Sequence, residues 1–316
     1  MQGNTVEKKK IFIDGREGTT GLRIFERLGG RDDVEILALE EENRKDPAAR
    51  RAMLAAADIA FLCLPDDAAR ESAALAEGTD TILIDTSTAH RTSPGWAYGF
   101  PELSAAHRSA IAQGKRIAVP GCHASGFIAL VYPLVQAGFL PADALLSCFS
   151  VTGYSGGGKK MIAQYEDSGR DRLLDAPRQY ALAQSHKHLP EMQFVTGLET
   201  APVFCPVVAD YYCGMTVTVP LFRSQLRDRG AEDIRRLYRQ TYTDGLVSVD
   251  DSVTEGGFVP SNALAGIDTM KLAVSGGEDR ILLLAHYDNL GKGASGAAVQ
   301  CLNLVLGRDM AYGLNV

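Results

Sequence analysis

The 316-residue chain has no run of basic side chains longer than Lys8-Lys9-Lys10, no low-complexity linker and no internal repeat. With a formal charge of −7 it carries no electrostatic footprint for a nucleic acid or an anionic membrane. No stretch approaches the ~18 consecutive apolar residues of a membrane span, and the polar opening from Met1 to Lys10 lacks the apolar core of a secretion signal. The six cysteines are scattered, with neither a C-x-x-C pair nor zinc-ligand spacing, so a disulfide framework is not expected. These absences point to a cytoplasmic protein whose partner is a small diffusible molecule. What is present is 46% hydrophobic residues, enough to bury the cores of two domains or one large one.

From Lys10 to about Pro120, short apolar runs alternate with polar or alanine-rich segments of helical length. Ile11-Phe12-Ile13, Val34 to Glu40, Ile59 to Leu64, Thr81 to Asp85 and Arg116 to Val119 read as strands. Gly21 to Leu28, Pro47 to Ala56 and Asp67 to Glu77 read as helices. Alternation at this interval predicts an α/β fold with a doubly wound, Rossmann-type parallel sheet. After about Leu140 the pattern changes to longer extended runs, Ala144 to Thr152, Tyr211 to Phe222 and Arg280 to Asp288, as in an α+β domain. Gly293 to Leu306 reads as an amphipathic helix of small residues that returns to the first domain. The expected division is therefore residues 1–121 with 290–316 as nucleotide-binding domain, and 122–289 as catalytic and oligomerisation domain.

Asp14-Gly15-Arg16-Glu17-Gly18-Thr19-Thr20-Gly21 joins the first strand to the first helix. Its G-x-x-G-x-x-G spacing allows a tight turn whose N–H groups approach a pyrophosphate at the helix N-terminus, so Gly15, Gly18, Thr19, Thr20 and Gly21 are expected cofactor contacts. Glu40, at the expected end of the second strand, stands where a carboxylate bonds the adenosine ribose of NAD. Arg44 and Lys45 stand where cations receive the 2′-phosphate of NADP.

Val119-Pro120-Gly121-Cys122 precedes the apolar run Ser125 to Tyr132, a strand-turn-helix pattern that sets Cys122 at a helix N-terminus. Unpaired N–H groups and the helix dipole there favour a thiolate and an oxyanion. His123 follows it on the helix and does not face it. His186-Lys187-His188-Leu189-Pro190-Glu191 offers two histidines that, if extended, point the same way, one as acid/base for Cys122 and the other as substrate contact. No third ligand accompanies them, so no metal is expected. His90, His107 and His286 read as structural. Thr152 to Lys160, with Ser155 and Lys159, suits a phosphate or carboxylate, and Ser87 and Arg91 lie after the fourth strand, at the sheet edge where ligands bind.

Taken in order, the glycine turn, Pro120-Gly121-Cys122 with Ser125-Gly126, His186-x-His188-x-Pro190-Glu191 and Asn289-Leu290-Gly291-Lys292-Gly293-Ala294 running into Gln300 resemble the short type of N-acetyl-γ-glutamyl-phosphate reductase along nearly the whole chain. The family usually carries an aromatic after the cysteine and a threonine two positions later; His123 and Ser125 stand here. The resemblance implies a semialdehyde dehydrogenase-like fold, NADPH as cofactor, a cysteine thioester and a place in arginine biosynthesis. It further implies Glu191 near the substrate, Asn289 and Lys292 closing over the nicotinamide end, and a homo-oligomer, dimer or tetramer. Another acyl-phosphate reductase, such as aspartate-semialdehyde dehydrogenase, shares these expectations. A nucleotide-binding regulatory protein with an inert Cys122 is the alternative of a different class.

Overall fold

In a computed structural model, residues 8–252, 254 and 256–316 are described; the polar opening up to residue 7 lies outside them. The first strand, β1 (Lys9–Asp14), is buried from Ile11 onward, on both faces, because helices cover the sheet above and below. It leads through the glycine turn to α1 (Thr19–Leu28), which buries Ile24 and Leu28. Then follow β2 (Val34–Leu37), α2 (Pro47–Ala56), β3 (Ile59–Leu62), α3 (Asp66–Leu75), β4 (Ile82–Asp85), β5 (Ala97–Tyr98), α4 (Ala105–Gln113) and β6 (Arg116–Ala118). Asp46 caps α2 by accepting from the Ala48 N–H, with Pro47 at the first helical position. The six strands form one parallel sheet in the order β2-β1-β3-β4-β6-β5. The order reverses between β1 and β3, which opens a crevice at their carboxyl ends, directly over the glycine turn.

The next helix, α5 (Cys122–Gln136), starts at the carboxyl edge of this sheet and runs under a second one. That second sheet contains β7 (Ser147–Gly153), β8 (Arg178–Gln179), β9 (Val203–Ala209), β10 (Met215–Phe222), β11 (Val247–Val249), β12 (Met270–Gly276) and β13 (Arg280–Tyr287). Between its strands lie α6 (Gly158–Glu166), α7 (Leu189–Thr196) and α8 (Ala231–Thr241). Its order is β11-β12-β13-β10-β7-β9-β8, antiparallel except for the pairs β7/β9 and β11/β12. One face packs Val217, Val219, Leu272, Leu283 and Tyr287 against Phe127, Leu130 and Leu134 of α5 and Ile234 and Tyr238 of α8. The opposite face keeps Phe149, Phe222 and Leu282 exposed.

Three expectations need correction. The second strand ends at Leu37, because the chain turns away there and Glu40 begins a short 3-10 turn, Glu41–Asn43. The strand expected from Tyr211 begins at Met215; residues before it form a tight turn whose carbonyls at Tyr211 and Tyr212 accept from the N–H groups of Tyr154 and Ser155. The C-terminal helix, α9 (Gly296–Val305), is not amphipathic: Ala297, Ala298, Val299, Cys301 and Leu302 join the core under the first sheet, and Gln300 and Asn303 are buried as well. A wide π-turn, Gly291–Ser295, precedes it. No helix of the described residues is long and apolar enough to cross a membrane.

Candidate active site

Two cavities flank the glycine turn. One, of about 390 Å³, is lined by Asp14, Gly15, Gly18, Leu37 to Leu39, Glu41, Arg44, Lys45 and Leu64. Gly15 has φ +85°, and a methyl on it would overlap the Cys63 carbonyl and stand 2.9 Å from Leu64 Cδ2. The turn is thus a cradle that only a glycine leaves open. Glu41, not Glu40, faces this cavity, together with the exposed Arg44 and Lys45; Arg44 pairs with Glu41 at 3.3 Å. An elongated, phosphate-bearing nucleotide fits this donor set: an apolar slot, two cations and the N-terminus of α1, where no side chain caps the first N–H groups.

The second cavity, of about 450 Å³, begins at Thr19 and Thr20 on the other side of the turn and holds Cys122, His186, Lys187, His188, Arg91, Ser155, Tyr180, Asn289 and Gly293. Cys122 is the first residue of α5, beside the N–H groups of that helix's first turn. Behind it Gly121 is needed because a methyl there would overlap Arg91 Nη1 and His188 Nε2. In front, a methyl on Gly293 would stand 3.1 Å from Cys122 Cβ, so the π-turn closes tightly on the thiol.

Glu191, in the first turn of α7, holds this frame together. Its Oε1 accepts from the Gly121 N–H and the Tyr98 hydroxyl, each at 2.8 Å, and its Oε2 accepts from Arg91 Nη1 at 2.9 Å. Arg91 donates further to the carbonyls of Val119 and Thr86. Glu191 is 2% exposed and fully engaged, so its place is behind the cysteine and not against a ligand. Pro190 at the start of α7 sets the turn that presents His188, whose backbone is helical and not extended as expected. The two imidazoles nevertheless meet, with ring centroids 4.7 Å apart. His186 Nδ1 accepts the His188 N–H at 3.2 Å, which leaves the proton of a neutral His186 on Nε2. His188 Nδ1 is buried without a partner among the described residues.

Burial sets the protonation states. It pushes the Cys122 thiol above its ordinary value, against the pull of Arg91, the His123 N–H and Lys187. The helix N-terminus was expected to favour a thiolate; its His123 N–H does pull the pKa down, but burial outweighs it. Burial lowers His186 to about 4, with Lys187 adding to it, and drives His188 well below the usual histidine range, with Arg91 adding to it. Both imidazoles are neutral at pH 7.

Other expected site residues are distributed unequally. Ser155 is buried in the cavity wall and accepts from Asn289 Nδ2 at 3.0 Å, while Asn289 Oδ1 accepts from the Gly214 N–H. Ser87 is not in the wall: its hydroxyl donates to Asp85 and its N–H does the same, which leaves Thr86 to line the cavity. Lys159 is exposed on α6, outside the lining. Lys292 is 3% exposed and turned away, its ammonium 2.6 Å from Glu102 Oε1 and bonded to Gln300. Besides Arg91, which is paired with Glu191, Lys187 between the two histidines reaches the cavity; it makes no ion pair among the described residues, and its place in His-Lys-His was the available signal. No group of three or more His, Cys, Asp or Glu that could hold a metal occurs among the described residues.

Residues 122–289 match the family described as "Semialdehyde dehydrogenase, dimerisation domain", and residues 32–112 match "Semialdehyde dehydrogenase, NAD binding domain". A protein of Brucella ovis named N-acetyl-gamma-glutamyl-phosphate reductase is 47% identical over 311 residues, 95% of this chain and 100% of that one. Its namesake from Chelativorans sp. is 49% identical over 305 residues, 94% and 98% of the two chains. Among solved structures, aspartate semialdehyde dehydrogenase II of Vibrio cholerae, complexed with ASA, superimposes with a TM-score of 0.71 at 17% identity over 95% of this chain and 99% of that one. The Candida albicans aspartate semialdehyde dehydrogenase with NADP gives 0.64 at 14% identity, over 96% and 100%. At such identities these two likenesses concern the fold.

Proposed function

The chain belongs to the N-acetyl-gamma-glutamyl-phosphate reductase family, and on that premise we propose that Cys122 is its nucleophile and that the two cavities divide the cofactor from the substrate. The reaction is the NADPH-dependent reduction of N-acetylglutamyl 5-phosphate to the 5-semialdehyde with release of phosphate. Supporting this reading above all is one observation: the thiol stands where the glycine turn, the histidine pair and the Gly293 backbone converge on one cavity.

Cys122 Sγ attacks the acyl carbon, and the carbon–oxygen bond to phosphate breaks with its electron pair leaving on phosphate, so a thioester remains. His188, packed against Gly121, accepts the thiol proton as the sulfur attacks, which a neutral imidazole does and an imidazolium does not. The N–H groups at the start of α5 face the oxygen that becomes negative. Gly15, Gly18, Thr19, Thr20 and Gly21 would hold NADPH, and Arg44 and Lys45 would receive its 2′-phosphate; when bound it would supply the hydride that brings the acyl carbon to the aldehyde level. Collapse then breaks the carbon–sulfur bond and returns the electron pair to sulfur. Lys187, Arg91 and Ser155 are placed for the anionic groups of the substrate, and His186 Nε2–H for a further donor contact. Residues 1–121 and 290–316 act as the nucleotide-binding unit and 122–289 as the catalytic and pairing unit of a cytoplasmic homo-oligomer, dimer or tetramer.

Absorbance at 340 nm with NADP⁺, phosphate and N-acetylglutamate 5-semialdehyde is expected to rise with the native protein and not with Cys122→Ser, while the variant retains NADPH binding. Full turnover by that variant removes Cys122 from its role. Preference for aspartate semialdehyde in the same assay keeps the chemistry and changes the substrate.

A further inference from the structure

His123 was expected to be a poor partner for Cys122, because consecutive side chains on a helix do not face each other. It packs between His186, His188 and Phe204, with ring centroids 5.8, 5.7 and 5.3 Å away. Both of its nitrogens are nevertheless engaged. Nδ1 lies 2.7 Å from Ser150 Oγ, on the interior strand β7, and Nε2 lies 2.7 Å from the Tyr180 hydroxyl, which is in the wall of the cavity that holds Cys122.

Counting donors fixes the direction of this chain of bonds. Ser150 is 0% exposed, so its hydroxyl proton needs an acceptor, and His123 Nδ1 is its one side-chain or backbone partner among the described residues. If Nδ1 carried a proton instead, the Ser150 proton would be buried without an acceptor, which folded proteins avoid. Ser150 therefore donates to Nδ1, and Nδ1 is bare. Burial, with His186 nearby, holds His123 at about 3, so the ring carries a single proton at pH 7. That proton is on Nε2 and is donated to the Tyr180 oxygen. The phenolic proton of Tyr180 then has no partner among the described residues, and Tyr180, half-buried, presents it to the cavity.

On the reading of Cys122 given above, we propose that Ser150 and His123 are positioning residues that fix one histidine tautomer and thereby aim the Tyr180 hydroxyl, as a donor, at the acyl oxygen of the group attached to Cys122. The opposite tautomer would take the phenolic proton into His123 Nε2 and leave only an acceptor facing an oxygen that becomes negative. Tyr180 is close enough to the thiol for a charge on Cys122 to raise the phenol further, above what burial alone does, so the hydroxyl stays protonated. A neutral donor that does not ionise suits an oxygen whose charge develops only during the reaction.

The test has one arm that does not need turnover. Long-range proton–nitrogen spectra of protein labelled with ¹⁵N-histidine, the His123 signals assigned through His123→Gln, are expected to show the Nε2–H tautomer in the native protein and a shift toward Nδ1–H in Ser150→Ala. A native Nδ1–H tautomer overturns the proposal. In the assay above, Tyr180→Phe, which keeps the ring, is expected to lower kcat by about 100- to 1,000-fold with little change in KM. Ser150→Ala is expected to lower it in the same direction, with no further loss when it is added to Tyr180→Phe. Native turnover by Tyr180→Phe, or additive losses in the double variant, overturns the role. An inactive native protein would instead count against the reading of Cys122, with the tautomer measurement still standing.

Discussion

A thiol set behind a protein wall experiences opposed forces, and Cys122 shows them separately. Withdrawal from water raises its pKa, while Arg91, the His123 N–H and Lys187 lower it. A resting thiol follows, and the proposed reaction then calls for a neutral imidazole to receive its proton. Burial supplies that too, since it holds His186, His188 and His123 below the usual histidine value. Stability reflects the same burial. A histidine whose folded pKa is depressed binds fewer protons folded than unfolded, so its full contribution is present above pH 6.5 and is lost as the pH falls. For His123, going from 6.5 to about 3, the loss by pH 5 is roughly 2 kcal/mol. Urea unfolding at pH 7 and pH 5 is expected to show a drop of at least this size. In His123→Gln, which has no proton to gain, the drop should be smaller by about that amount. An equal drop in both proteins would mean that another group dominates acid unfolding.

At the level of elements, the π-turn Gly291–Ser295 decides how near the C-terminal segment comes to the thiol, and Lys292 holds it from within. Its ammonium pairs with Glu102, bonds Gln300 and sits 5.0 Å over the Phe100 ring, all buried. Removing one partner of a buried pair leaves the other uncompensated, a cost of about 3–5 kcal/mol. Lys292→Met is expected to lose that much in urea unfolding, with reduced kcat as Gly293 shifts. Adding Glu102→Gln should restore most of the stability, since no lone carboxylate remains. If the single variant is as stable as the native protein, the ion pair does not secure the turn. This lysine also marks the limit of sequence reading. The strand-helix alternation before Pro120, the glycine turn and the Pro-Gly-Cys start of α5 are local patterns, and period, capping and turn chemistry suffice to place them. Whether Lys292, Ser87 or Glu191 faces a ligand or a neighbour depends on which distant chain arrives beside it. Asp85 takes Ser87, Glu102 takes Lys292, and Gly121 with Arg91 takes Glu191. The all-round burial of α9 was hidden for the same reason: Gln300 and Asn303 look like a solvent face until Glu102 and Arg31 are found against them.

Across the whole molecule, the second sheet remains the unfinished surface. Its inner face is covered by α5 and α8, whereas β7, β9, β10 and β13 leave Phe149, Val203, Phe222 and Leu282 exposed by 45%, 57%, 60% and 41%. Cross-strand register places them on one face, since Ser147 pairs with Val203, Phe149 with Thr218, and Pro220 with Leu282. A contiguous apolar strip of this kind marks an interaction surface, and it falls within the region that matches a dimerisation domain. A second copy presenting the same strip would bury it by two-fold symmetry, so one substitution would be felt twice in each pair. Phe222→Asp with Leu282→Lys places charges on the strip without touching the core beneath β10 and β13. Sedimentation velocity is expected to show the native protein as a dimer or larger and the double variant shifted toward monomer, with the helical and sheet content unchanged by circular dichroism. Because Tyr287, at the end of β13, bonds both the Cys122 carbonyl and the Gly126 N–H, loosening the sheet also reaches the start of α5. The monomer should therefore show a lower kcat than the assembly, recovered in part at high protein concentration. An unchanged assembly state in the double variant would place the pairing surface elsewhere.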